Sequence, residues 1–241
     1  MRAILLAAGY GSRLLPLTLS LPKCLVTING QPLLGIWLER LSKANMGPFL
    51  VNTHYLSEQV DLFIASSPYR DRVRLINEKE LQGTAGTLIA NLDFFNNDEG
   101  LLIHADNYCM ADLKAFQAAH HKRPKECLLT MMTFRTLNPS SCGVVELDER
   151  GVVTAFHEKV EFPPGNLANG AIYILSRELL NMLAKELKTV KDFSTEVLSQ
   201  LIGRIYSYET TAIFLDIGTP ETYKIANTMI NRKDDLATKR P

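Results

Sequence analysis

A chain of 241 residues, 46% hydrophobic and 22% charged, has an ordinary globular composition and enough length to bury a large core, as one large α/β domain or two small ones. Its 26 basic and 26 acidic residues cancel, so no global basic field marks a nucleic-acid binder, and any anion site must be built from placed residues. No apolar run approaches the roughly twenty residues of a membrane span, and Arg2 leads directly into a strand pattern rather than a signal-peptide layout.

In chain order, the apolar run Ala3-Ile4-Leu5-Leu6 predicts a strand over Met1–Ala8. The strand opens into Gly9-Tyr10-Gly11-Ser12-Arg13, then Pro16, then Pro22-Lys23. Glycines let backbone N–H groups approach an anion, Arg13 can clamp a phosphate through two N–H groups, and Lys23 adds a point charge. The glycines alone would fit an ordinary tight turn; the two basic residues, kept off a regular helix by the prolines, turn the reading toward phosphate. The loop is not a Walker loop, for no Gly-Lys-Ser/Thr run occurs. Nor is it a dinucleotide fingerprint, for Leu14 takes the place of the third glycine.

Val26-Thr27-Ile28 with Asn29-Gly30 predicts a strand tip and tight turn. A helix is predicted from Pro32 to Met46, stopped by Gly47-Pro48. Strands follow at Phe49–Thr53, Arg74–Asn77 and Leu101–Ala105, and a helix at Ser57–Ser66. A second small-residue loop, Leu81-Gln82-Gly83-Thr84-Ala85-Gly86-Thr87, leads into a helix at Thr87–Leu92. This alternation predicts a mostly parallel sheet covered on both faces, with ligands beyond the carboxyl ends of its strands. Both glycine loops and Asp106 fall at that end.

The second half reads as strands at Leu128–Phe134, Gly143–Leu147, Val152–Phe156 and Ala171–Leu175, with a hairpin turn at Glu149-Arg150-Gly151. Helices are predicted at Arg177–Glu186 and Ser194–Ile202. A late strand, Ala212–Leu215, runs into Asp216, and Thr219 caps a last helix starting at Pro220. The tail 231–241 is charged and expected to fray.

Asp106 and Asp216 each follow an apolar strand. Singly, such a residue is a turn or cap residue; together, beside a basic glycine loop, the two are natural Mg²⁺ ligands. Lys159 of Glu158-Lys159 is a candidate for a second phosphate, although an isolated pair of this kind is usually solvated surface. His104 reads as a packed histidine rather than a base, and His120-His121, at a polar helix end, lack a ligand set. Cys24, Cys109, Cys127 and Cys142 show no Cys-x-x-Cys spacing and read as reduced thiols of a cytoplasmic protein. With no Gly-x-Ser-x-Gly elbow and no Cys/His pair, covalent catalysis is not indicated, which fits direct in-line phosphoryl displacement.

Leu6-Ala7-Ala8-Gly9-x-Gly11-x-Arg13-Leu14-x-Pro16-x-Thr18, followed by Pro22-Lys23, resembles the signature of the sugar-1-phosphate nucleotidyltransferases. The resemblance continues through Gly83-Thr84-Ala85-Gly86, Asp106, Glu158-Lys159, Asn169-Gly170 with Tyr173, and Asp216-Ile217-Gly218-Thr219-Pro220, nearly the whole chain. It implies a Rossmann-like, mixed and mostly parallel α/β sheet with a small sugar-binding β insertion. The implied organisation is one domain over 1–241, with 1–125 mainly nucleotide-binding and 126–230 mainly sugar-phosphate-binding. The implied reaction joins a sugar 1-phosphate to a nucleoside triphosphate, releasing pyrophosphate. By the resemblance, Leu6, Ala7, Ala8, Gly9, Gly11, Ser12, Arg13, Gln82, Gly83, Thr84 and Gly86 would bind nucleotide. Arg13, Lys23 and Asp106 would be catalytic, and Asp106 and Asp216 would hold Mg²⁺. Asn107, Gly143, Glu158, Lys159, Asn169 and Gly170 would contact the sugar phosphate.

Two departures stand out. Cys24 follows Lys23 where a proline is usual, which predicts a less rigid loop, and His104-Ala105-Asp106 replaces a small-residue-Gly-Asp run. No appended β-helix domain is expected. Gly83-Thr84-Ala85-Gly86 most resembles guanylyltransferases for mannose or manno-heptose 1-phosphate, serving capsule or surface glycans. Uridylyl, cytidylyl and thymidylyl transfer stay open, as does a non-catalytic regulatory subunit. A nicotinamide-dependent oxidoreductase is disfavoured by the missing glycine. A homodimer is compatible with the sequence, which does not itself define the assembly; neither nucleic acid nor membrane is an expected partner.

Overall fold

Mostly apolar runs that end in small or polar residues make parallel strands, and four of them build the first half of the sheet, three buried and one a partly exposed edge. In the computed structural model, which describes residues 1–237, β1 (Arg2–Leu6) pairs in parallel with β4 (Phe49–Thr53) and β6 (Gly100–His104), and β4 with β5 (Val73–Asn77). The second half attaches through β11 (Leu167–Leu175), which runs antiparallel to β6 on one side and to β8 (Leu129–Arg135) and β9 (Gly143–Leu147) on the other. Antiparallel β10 (Val153–Glu158) and parallel β12 (Ile205–Glu209) complete nine strands. Two small sheets flank them: β2 (Thr27–Ile28) with β3 (Gln31–Pro32), and β7 (Asn107–Cys109) with β13 (Phe214–Asp216). Asn29 and Gly30, both at positive φ, form the predicted tight turn between β2 and β3.

Alternate strand residues feed two cores. Ala3, Leu5, Phe49, Val51, Leu101 and Ile103 face α1 (Leu33–Lys43), α2 (Ser57–Ser66) and α4 (Leu113–His121). Ile4, Leu50 and Leu102 face α3 (Thr84–Ala90) and α5 (Arg177–Lys185). Period two in the strands thus matches a helical layer on each face. The last helix, α6 (Pro220–Ala237), packs Ala226 against Leu14 and Ile28, and the Thr219 hydroxyl accepts the Thr222 N–H at 3.2 Å as its predicted cap.

Several boundaries differ from the sequence expectation. α1 stops at Lys43, before Gly47-Pro48, because Asn45 turns left-handed at φ 60°. The helix expected at Thr87 begins at Thr84, and β11 begins at Leu167, so Asn169 and Gly170 lie inside a strand at a register shift. Asp216 is the last residue of β13 rather than a residue beyond it. The helix expected over Ser194–Ile202 is a π-turn at Phe193–Val197 followed by a 3₁₀ turn at Leu198–Leu201. Ser199 Oγ donates to Thr195 O at 2.6 Å and Gln200 Nε2 to Glu196 O at 2.7 Å, side-chain bonds that compete with the regular ladder. The charged tail is helical through Ala237; residues 238–241 lie outside the described residues.

Candidate functional site

The first glycine loop is fixed from both ends. Gly11 sits at φ +65°, where a Cβ would press on Thr18 and Lys23. The Thr18 hydroxyl donates to Gly11 O at 2.8 Å. Three 3₁₀ turns, Ser12–Leu14, Leu17–Leu19 and Lys23–Leu25, then lay Leu14, Thr18, Cys24 and Leu25 into the interior. Cys24, in place of a proline, is a core residue whose thiol is pushed up to about 12, chiefly by burial, and so stays protonated at neutral pH. Gly9 has open space around it, and Ser12 and Arg13 are exposed.

Lys23 is the centre of the charge arrangement. Its side chain is only 9% exposed, and its Nζ lies 2.6 Å from Asp106 Oδ2 and 3.7 Å from Asp216 Oδ1. Asp106 lies two residues beyond the end of β6, after Ala105. Asp216 is brought beside it because β13 pairs with β7, setting Asp216 opposite Asn107, and Ile217 N–H reaches Asp106 O at 3.2 Å. Arg13 NH2 stands 3.8 Å from Asp216 Oδ2 at the mouth. Burial opposes charge on Asp106, but the Lys23 ammonium, with His104 second, outweighs it and holds the carboxyl below its ordinary value. The result is two hard carboxylates meeting at one point, with cations beside them. Among the described residues no group of three or more His, Cys, Asp or Glu could hold a metal ion. A pair of carboxylates is the donor set of a cation that takes its remaining ligands from substrate phosphates and water, so Asp106 and Asp216 could hold such an ion.

Beyond the carboxylates lies a cleft lined by Arg13, Asp106, Asn107, Gly143, Glu158, Lys159, Asn169, Gly170 and Asp216. The proposed sugar-phosphate residues therefore share one cleft with the two carboxylates. Lys159 follows β10 in the left-handed region, φ 50°, anchored by its N–H to Cys142 O at 3.1 Å, and its Nζ is 3.3 Å from Glu158 Oε1. Asn107 is buried; its side-chain Nδ2 donates to Gly170 O at 3.0 Å and its backbone carbonyl accepts Trp37 Nε1–H at 2.8 Å. Asn169 donates to the hydroxyl of fully buried Tyr173 at 2.7 Å and accepts the Ala171 N–H at 2.9 Å, so its amide shapes the wall at both ends. His104 also lines the cleft. Burial pushes its imidazole down, and its Nε2 is buried without a hydrogen-bond partner.

The second glycine loop lies apart from this cleft. Gly83 adopts φ +81° and ψ 169°, a conformation reserved for glycine, and its Cα packs on Lys191 O so closely that a Cβ would collide. Ala85 N–H donates to that same carbonyl at 2.8 Å, and the Thr84 hydroxyl accepts Phe193 N–H at 2.7 Å, so Thr84 ties the π-turn in place. Gln82 is exposed, and Gly86 has only Gln82 close by. Between the two loops sits a buried polar group absent from the sequence reading. Asn52 Oδ1 accepts Ala7 N–H at 2.8 Å, and Asn52 Nδ2 donates to Glu78 Oε1 at 2.9 Å. Thr87 Oγ1 also donates to Glu78 Oε1, and Gln82 N–H to Glu78 Oε2 at 3.1 Å. The one signal for it was a polar Asn52 at the end of an otherwise apolar strand.

A mixed sheet with two glycine loops, two carboxylates and placed cations at the carboxyl edge of its parallel strands defines a nucleotide-handling fold, and the chain belongs to the nucleotidyl transferase family, which matches residues 2–233. The mannose-1-phosphate guanylyltransferase catalytic subunit beta of Xenopus tropicalis is 29% identical over 228 residues, which make up 92% of this chain and 62% of that one. The chain thus spans under two thirds of that relative's length. The D-glycero-alpha-D-manno-heptose 1-phosphate guanylyltransferase of Campylobacter jejuni is 29% identical over 225 residues, 92% of this chain and 97% of that one. The solved structure of UDP-glucose pyrophosphorylase complexed with UDP-glucose matches with a TM-score of 0.80 at 22% identity, covering 96% of this chain and 98% of that one. The fold is that of the nucleotide-diphospho-sugar transferases.

Proposed function

We propose that the protein transfers a nucleotidyl group, from GTP in first place, to a sugar 1-phosphate of the mannose or manno-heptose type, releasing pyrophosphate. The observation that carries the reading is buried Lys23 between Asp106 and Asp216, two carboxylates that line one cleft with Lys159. The guanylyl and manno-sugar preference is supported by the names of the relatives that match nearly the whole chain.

An oxygen of the sugar phosphate attacks the α-phosphorus in line; the bond to the β-phosphate breaks, and pyrophosphate leaves with the electron pair. Two anions must meet, so positioning and cations carry the rate. Arg13 would take charge on the departing pyrophosphate, and Lys23, whose ammonium has N–H donors beyond the one facing Asp106, would hold the α-phosphate. Lys159 would take the phosphate group of the sugar phosphate, and Glu158 would accept hydrogen bonds from its sugar hydroxyls. Asp106 and Asp216 would hold Mg²⁺, which supplies neutralisation of charge on the phosphate oxygens. The product would feed glycan or capsule assembly in the cytoplasm. Among the described residues no helix is long and apolar enough to cross a membrane.

The test is pyrophosphate release with Mg²⁺ across GTP, UTP, CTP, dTTP and ATP, each paired with sugar 1-phosphates that include mannose and manno-heptose. Release with GTP and a manno-type sugar above all other pairs is expected. Preference for another base corrects the specificity, and silence across a widened panel removes the enzymatic reading.

A further inference from the structure

We propose that Glu78 is a positioning residue that fixes the two glycine loops relative to each other and so sets the affinity for the nucleoside triphosphate. The inference rests on the reading that these loops bind nucleotide. Glu78 follows β5, and its N–H is held by Thr53 O at 2.8 Å. It is 3% exposed, and among the described residues no Lys, Arg or His forms an ion pair with it. Burying a carboxylate without a cation is unfavourable, and an apolar side chain would stabilise a mere packing site better. What a carboxylate supplies is two acceptor oxygens at a fixed separation. One takes Asn52 and Thr87; the other takes the Gln82 backbone N–H at 3.1 Å.

The ties run into both loops. Asn52 turns its other end to Ala7 N–H, at the exit of β1 into the first loop. The Glu78 carbonyl, 2.7 Å from His54 Nδ1, can only accept, so that nitrogen carries the proton. In the neutral ring Nε2 is then bare and accepts the Tyr10 hydroxyl at 2.9 Å. Tyr10 lies between Gly9 and Gly11. One residue therefore reaches Ala7 and Tyr10 on one loop and Gln82 and Thr87 on the other, and none of its ties touches the cleft wall at Glu158-Lys159.

The direct test compares wild type with Glu78→Gln, a near-isostere that turns a donor toward at least one existing donor. Two quantities are measured for the triphosphate that the wild type turns over (GTP as first probe): its dissociation constant by calorimetry, and both substrate KM values. We expect the triphosphate Kd and KM to rise about tenfold, with the sugar-phosphate KM and the kcat at saturation within about twofold. Equal triphosphate affinity in wild type and variant overturns the proposal while leaving the proposed reaction standing. A uniform loss of both KM values and kcat reduces Glu78 to a structural role and also overturns it. A wild type that binds no triphosphate removes both readings together. Should Glu78→Gln not fold, Thr87→Val, which removes one donor to the same carboxylate oxygen, decides: a smaller rise in triphosphate KM alone supports the proposal, and no change overturns it.

Discussion

Lys23 carries the most information per substitution. Lys23→Ala leaves Asp106 and Asp216 facing each other without their shared cation, and it removes the proposed α-phosphate contact. Turnover is expected to fall by about 1,000-fold or more, the scale for losing a preorganised charge stabiliser. Asp106→Ala should fall as far, and near-normal pyrophosphate release in either variant would falsify the assignment. Because Lys23 holds Asp106 below its ordinary value, that carboxylate stays charged until the pH drops under the usual aspartate range. A pH profile should therefore show no acid limb from Asp106 near neutrality. Lys159→Ala acts elsewhere: the sugar-phosphate KM should rise about tenfold with the triphosphate KM unmoved, as initial-rate kinetics would report.

At the level of elements, Gly83 sets where α3 starts. Gly83→Ala combines a glycine-only backbone with a collision at Lys191 O, and displacement of the loop by an ångström is expected to cut kcat/KM about 100-fold. A variant at wild-type efficiency would show that the loop has room to adjust. The strands of the first half were legible because uninterrupted apolar runs ending in Gly, Asn or Asp have few other readings. β7 and β12 were not: Asn107-Tyr108-Cys109 is short and shows no alternation, and Ile205–Glu209 mixes Tyr and Ser into a pattern that fits a loop as well. The π-turn at Phe193–Val197 was hidden because Asp192, Ser194 and Thr195 look like an ordinary helix start. The basic loop and both carboxylates of the site could be named from their neighbours in sequence. Asn52, Glu78 and Thr87 could not, since each alone resembles a cap or turn residue and only the sheet brings them together.

For the whole molecule, acid stability has an identifiable contributor far from the cleft. Glu99, just before β6, is held down to about 2, first by the imidazole of buried His120, whose Nε2 lies 3.3 Å from Glu99 Oε1, and further by Arg123 and His121. His120 Nδ1 lies 2.8 Å from Thr130 Oγ1 of β8, so the cluster fastens α4 to the sheet. A depressed carboxyl contributes stability that is complete above its unfolded value near 4.3 and drains as pH falls toward about 2. Urea unfolding should find Glu99→Gln less stable than wild type at pH 7, with the gap closing as the pH drops below about 4. A gap independent of pH would assign the loss to packing.

The placement of β11 bears on how the chain is made. As the protein leaves the ribosome, β1, β4, β5 and β6 are available long before β11, and β6 waits with one apolar edge bare until Leu167–Leu175 arrives. An unpaired inner edge is a template for wrong partners. Synthesis halted anywhere between His104 and Leu167 would thus yield a sticky fragment rather than a working nucleotide half. The interval in which a nascent chain most needs shelter ends when that single strand emerges.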